Sequence, residues 1–148
     1  MSLPISLGLD FGTESVRAIL VDTAGKTLGL ATSDYASGQI TRSLPGLSDR
    51  LPSRYALQDP DDWIDSASLA TRAALDQAGL GGADVVGIGV DFTSCTMLPT
   101  TAEGIPLCQV ESLRNTPLAW PKLWKHHGAL RQTERMNAVA LERQEPFL

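Results

Sequence analysis

Asp10, Gly12, Thr13, Ser15 and Arg17 lie within one short stretch, Asp10-Phe11-Gly12-Thr13-Glu14-Ser15-Val16-Arg17, and together they can handle a phosphate. Gly12 lets backbone N–H groups come close to an anion. Thr13 and Ser15 add hydroxyl donors, and Arg17 adds a fixed positive charge. Asp10 is the odd member, because a lone carboxylate repels phosphate. A divalent cation held by Asp10 removes that conflict, so the pattern points to ATP with Mg2+ rather than to a bare anion. No Gly-Lys-Ser/Thr follows, and no helix starts after Gly8 and Gly12, so neither a Walker loop nor a dinucleotide fingerprint is present. The competing reading is a glycine-containing hairpin turn with polar tips.

A second constellation follows the apolar run Val85–Val90. Ser94, Cys95 and Thr96 form a polar loop after Asp91, and ligands of open α/β sheets bind at the C-terminal ends of strands. The hydroxyls of Ser94 and Thr96 suit a polyol, and Asp91 ends the strand as a loop anchor. A third candidate is Trp124-Lys125-His126-His127. Lys125 and His126 could donate to sugar hydroxyls or to a travelling phosphate, whereas Trp120, Leu123 and Trp124 read as core by their helical spacing. His126 and His127 are neighbours, about 100° apart on a helix, and would not chelate one ion easily. Cys95 and Cys108 read as reduced, partly buried thiols in strand-like segments of a cytoplasmic protein. No metal site built from protein groups alone is expected.

These groups must be held by strands and helices. Ile5–Asp10, Val16–Asp22 and Thr27–Asp34 read as a β-meander, joined by the Gly12 turn and by Thr23-Ala24-Gly25-Lys26. Residues 36–58, rich in Gly, Ser, Pro and Arg, read as a long surface loop. Asp59-Pro60-Asp61-Asp62 is a helix start, with Asp59 as N-cap, Pro60 at the first position and acidic residues at the positive end. That helix runs from Trp63 to about Ala78, and Gly79 stops it. The acidic cluster is thus a cap and not a catalytic pair. Asp84–Asp91 reads as a central strand covered on both faces, and Ile105–Val110 as a fifth strand after the Ala102-Glu103-Gly104 turn. From Pro117 the chain reads as helix, kinked at Pro121 and continued over 129–143. Residues 145–148 end without a cap.

At 148 residues the chain can build one domain with a real core. Its formal net charge of −5, without a dense basic stretch, argues against nucleic acid as a partner. No apolar run reaches membrane-spanning length, so no membrane partner is expected, and no secretory signal is visible.

Asp10-Phe11-Gly12-Thr13-Glu14-Ser15-Val16-Arg17 resembles the first phosphate motif of the FGGY carbohydrate kinases, which belong to the actin/hexokinase/heat-shock ATPase superfamily. Val90-Asp91-Phe92-Thr93-Ser94-Cys95-Thr96-Met97-Leu98-Pro99, Gly104-Ile105-Pro106-Leu107, Leu123-Trp124-Lys125-His126-His127 and Gln58-Asp59-Pro60-Asp61-Asp62-Trp63 resemble the ribulokinase branch. The resemblance covers essentially the whole chain. It implies an α/β fold of ribonuclease H-like (actin-like ATPase) type, with a mixed five-stranded sheet flanked by helices.

It also implies phosphorylation of a ketopentose, L-ribulose first, at its terminal hydroxyl. ATP and Mg2+ would sit at Asp10, Gly12, Thr13, Ser15 and Arg17, with Asp10 on the metal. The sugar would meet Ser94, Cys95, Thr96, Lys125 and His126. Glycerol kinases carry an Arg-Glu pair where this chain has Ser94-Cys95, which leaves room for a larger substrate. Another pentulose or polyol kinase, such as a xylulokinase, and a non-catalytic actin-like nucleotide module are the alternatives. Family members have a second ATPase-like domain that bears the general-base aspartate, so the chain reads as an N-terminal part. Apolar surface left uncovered by the missing part predicts a homo-oligomer.

Overall fold

A computed structural model describes residues 4–144. Strands β1 (Ile5–Phe11), β2 (Ser15–Asp22), β3 (Thr27–Asp34) and β4 (Val85–Phe92) form one sheet in the order β3-β2-β1-β4. β1 pairs antiparallel with β2, β2 antiparallel with β3, and β1 parallel with β4. The sheet is therefore mixed, as expected, but it has four strands and not five.

Strand alternation explains the layering. Ile5 and Leu7 of β1 and Val16, Ala18 and Leu20 of β2 are buried on one face. Helix α1 (Pro60–Ala78) lies on that face, mainly over β2 and β3, and sets Ala70 and Ala74 against Leu7, Ala18 and Leu20. Small residues on α1 bring its backbone very close to the sheet. A Cβ on Gly29 of β3 would collide with the carbonyl oxygen of Ala74. The helix ends follow the expected rules. Asp59 accepts the Asp61 N–H at 3.1 Å, and Gly79 closes the helix in the left-handed region, at φ 64°.

Three expected elements differ. β4 is an edge strand, with Val86, Ile88, Val90 and Phe92 all more than half exposed, because α1 covers β2 and β3 on their shared face and does not extend over β4. Its apolar run marked a strand, but not one covered on both faces. Residues 105–110 form a Thr100↔Pro106 bridge and a 3-10 turn at Leu107–Gln109 in place of a fifth strand. Pro106 has no N–H to give to a ladder. Residues 117–124 make a 3-10 turn at Pro117–Ala119 and then run extended, since Pro121 cannot continue a helix. Only the later helix is present, as α2 (Leu130–Glu142), and it has no buried residue. The uncapped end expected at residues 145–148 lies outside the described residues.

The loop after β3 carries a small core of its own. Ile40, Leu44 and Leu57 pack with Cys108 and Trp120. Isolated bridges join Ile40 to Leu57, Leu57 to Lys122 and Lys122 to Met97. Lys122 thus stitches the loop before α1 to the loop after β4. Cys95, taken as partly buried, is exposed, whereas Cys108 is buried in this cluster.

Candidate functional site

The turn between β1 and β2 is the Gly12-Thr13-Glu14 segment, closed by the Gly12 N–H donating to Ser15 O at 2.9 Å. A Cβ on Gly12 would stand 3.2 Å from that same oxygen, so the tight closure favours glycine on space alone. Each carbonyl of the turn is occupied from the protein side. The Tyr35 hydroxyl donates to Gly12 O at 3.2 Å. The Gln58 side-chain amide donates to Thr13 O at 2.8 Å, and the Tyr35 N–H to Glu14 O at 2.8 Å. The Glu14 carboxylate accepts from Gln39 at 2.6 Å. Among the described residues no hydrogen bond uses the N–H of Thr13 or Glu14. Donors left over beside held acceptors suit an anion.

Asp10 and Arg17 face each other across the hairpin register and form an ion pair at 2.5 Å. Their side chains are 43% and 57% exposed, so the pair adds at most about 1 kcal/mol to stability. Its charges stay available to a ligand. Asp91 stands beside Asp10 in the parallel β1–β4 register. Asp10, Arg17 and Asp91 line an open concavity of about 480 Å³ floored by Gly8 and Gly89. The Asp91 carboxylate also accepts the Phe92 N–H at 2.9 Å, in keeping with a loop anchor.

Tyr35 links this region to α1. Burial, and then the charges of Asp10 and Asp62, push its phenol up to about 12 from an ordinary 10. The native chain thus keeps the Tyr35 proton where the unfolded chain loses it. Stability from this group is fully present below pH 10 and is lost as pH rises toward 12. Denaturant titrations across that interval should show the loss in the wild-type chain and a smaller one in Tyr35→Phe. An equal slope in both would contradict the assignment.

The sugar-side candidates lie on neighbouring loops. Ser94 and Cys95 are exposed, and Cys95 has a left-handed backbone, at φ 64°. Thr96 is half-buried, its hydroxyl 3.3 Å from that of Thr93. The Thr93 N–H donates to Phe11 O at 3.0 Å, which fixes this loop to the end of β1 beside the turn. The Met97–Lys122 bridge then joins it to the segment bearing Trp124, Lys125 and His126.

Trp124, expected in the core, is half-exposed, and its indole N–H donates to the Thr13 hydroxyl at 3.2 Å. Lys125 Nζ lies 5.2 Å from the Trp124 ring centroid. His126 is tied inward. Its Nδ1 accepts the Ala56 N–H at 3.3 Å, and its ring meets Tyr55 edge-on at 4.5 Å. Burial and the nearby Lys122 charge hold its pKa below the ordinary histidine value. Only Nε2 is free of that backbone contact.

The structure therefore gathers Asp10, Gly12, Thr13, Ser15 and Arg17 on one hairpin, with Trp124 against Thr13. Tyr35, Gln39 and Gln58 were missed by sequence reasoning. Nothing in a single tyrosine or glutamine marks a partner across the fold. Trp124 was missed because its spacing from Trp120 imitates a helix face.

The fold defines the class first. The chain superposes on a xyloylose kinase from Brucella ovis with a TM-score of 0.70 and 23% identity, over 95% of this chain and 25% of that one. The likeness is one of fold: the chain shares the sheet-and-helix frame of that structure. A model of the N-terminal domain of the FGGY family of carbohydrate kinases matches residues 5–112, and the chain belongs to that family. It is 47% identical over 144 residues to a ribulokinase of Mycolicibacterium smegmatis and 43% identical over 142 residues to one of Geobacillus thermodenitrificans. Each match takes in 96% of this chain, and the chain spans about a quarter of the length of either relative.

Proposed function

We propose that the chain is one wall of a phosphoryl-transfer cleft that phosphorylates a ketopentose, L-ribulose first, at its terminal hydroxyl. The observation that carries this is the Gly12–Glu14 turn, whose carbonyls are all held by the protein while Asp10 and Arg17 flank its open side. The ribulokinase names of the relatives at 47% and 43% identity support the sugar. A xylulokinase is the second reading, favoured by likeness in fold to a xylulose kinase from Rhodospirillum rubrum, at 21% identity.

The residues fit Mg2+, which takes hard oxygen donors, often one or two carboxylates with its waters kept. Asp10 would hold it, with Asp91 next in register. When bound, the ion would offset the negative charge of the phosphates. Arg17 would supply positive charge to the phosphate, and the N–H groups of Thr13 and Glu14, which have no partner within the protein among the described residues, would donate to its oxygens. Thr13 and Ser15 add hydroxyls. On the sugar side Ser94, Thr96 and Lys125 supply donors, with Cys95 and His126 beside them, and the exposed Trp124 face offers an apolar wall. The compartment is the cytoplasm, where free thiols such as Cys95 and Cys108 persist. Among the described residues no helix is long and apolar enough to cross a membrane.

Phosphoryl transfer needs nucleophile, metal and phosphates positioned together. The chain alone is expected to turn over negligibly with L-ribulose and Mg·ATP, and ADP release at a full kinase rate would contradict this. Joined to a downstream region of a ribulokinase relative, it should prefer L-ribulose over xylulose, ribitol and xylitol. ATP binding without sugar preference would instead support the non-catalytic reading.

The bare β4 edge, with Val86, Ile88, Val90 and Phe92 exposed, supports self-association of the chain. Light scattering should show a dimer or larger species, and a monodisperse monomer would contradict it.

A further inference from the structure

Gln58 is 1% exposed and belongs to none of the groups already given a chemical role. A buried primary amide is costly unless its hydrogen bonds are made. Its Nε2 donates to Thr13 O at 2.8 Å, and because that oxygen can only accept, the amide must face it nitrogen first. Its backbone is fixed from both sides. Leu57 bridges to Ile40 and Lys122, and the Gln58 N–H donates to Pro121 O at 3.2 Å. Asp59 follows in an extended conformation as the α1 cap, held there by Pro60.

The side chain thus starts from a rigid point and ends on the phosphate turn. Two routes then meet at Thr13. One runs from Pro121 through Gln58 to the Thr13 carbonyl, and the other from Trp124 to the Thr13 hydroxyl. The Pro121–Trp124 segment and the turn cannot shift independently while both bonds hold.

We propose that Gln58 is a positioning residue that sets the Thr13 peptide, so that the free N–H groups of the turn face outward and Trp124 is held over Thr13. The phosphate part of this rests on the function proposed above, whereas the geometric part does not. Replacing the donor leaves the half-buried Thr13 carbonyl without its partner. The peptide is then free to rotate, and its N–H no longer points where an anion would sit.

The test uses the 15N-labelled chain with Gln58→Met and Gln58→Leu, neither of which can donate. Both should move the Gly12–Glu14 amide resonances and the Trp124 indole N–H, and the indole should exchange faster with solvent. Resonances of β3 and of α1 beyond its first turn should stay in place, which a general rearrangement of the fold would not allow. Mg·ATP affinity should drop about tenfold, the scale seen when a residue that orients a ligand group is removed.

Unmoved turn and indole resonances in both variants would overturn the proposal. Should neither variant fold, the wild-type chain decides. A coupling across the hydrogen bond from Gln58 Nε2 to the Thr13 carbonyl carbon is expected, and a rapidly exchanging Gln58 amide without it overturns the proposal. Absence of any Mg·ATP response in the wild type would sink the phosphate reading, while the turn and indole shifts would still decide the positioning role.

Discussion

Gly29→Ala should cost about 3 kcal/mol or prevent folding, a larger loss of stability than any other single methyl group added to the sheet. The added Cβ would collide with the Ala74 carbonyl oxygen, and the carbonyl belongs to the helix backbone, which has no rotamer to swing away. Relief requires lifting α1 from β2 and β3. That would loosen the packing of Ala70 and Ala74 on Ala18 and Leu20, the centre of the main core. Overpacking of a dense core costs about 1–3 kcal/mol and more when backbone must move. Gly89→Ala on β4 is the control. Its Cβ meets nothing within 4 Å, so stability should stay within about 0.5 kcal/mol. Urea midpoints of the three proteins provide the comparison, and equal midpoints for Gly29→Ala and the wild type would mean that the α1 backbone at Ala74 does not pack against Gly29.

Asp10→Asn should separate function from folding. The Asp10–Arg17 pair is largely solvated, so its loss should change stability by no more than about 1 kcal/mol. The same change removes the charged oxygen proposed to hold the cation. Mg2+-dependent nucleotide binding should fall at least about tenfold. The contrast matters because a purely structural hairpin predicts a different pattern. If Asp10 serves only to pair Arg17, its loss affects neither the metal dependence nor the affinity. Isothermal titration with ATP, with and without Mg2+, reads this directly. Unchanged Mg2+ dependence in Asp10→Asn would remove Asp10 from the metal role.

Local rules made much of the fold legible. Alternation in Ile5–Phe11 and Ser15–Asp22, the Asp59-Pro60 start and the Gly79 stop each act over a few residues, and each element stands where expected. The readings that failed depend on neighbours distant in sequence or on a proline inside the run. An apolar run such as Val85–Val90 shows that a strand exists, but its burial depends on what lies on either face. Helical spacing in Leu118–Trp124 was overruled by Pro121 and by the bridges of Lys122 to Leu57 and Met97.

The candidate site divides in the same way. Asp10, Gly12, Thr13, Ser15 and Arg17 are contiguous, so chemistry could be read from their order. Tyr35, Gln58 and Trp124 reach the turn from 23, 45 and 111 residues away. Their types carry no trace of that partnership, and only the folded chain brings them to it.

The central claim is that the Asp10–Arg17 hairpin receives Mg·ATP phosphates. Titration of the 15N-labelled chain with Mg·ATP, and with ATP in the presence of EDTA, tests it most directly. Gly12, Thr13, Glu14 and Ser15 amides should move together with rising Mg·ATP, and much less when the metal is withheld. Shifts confined to other surfaces, or none at the turn at millimolar nucleotide, would contradict the claim.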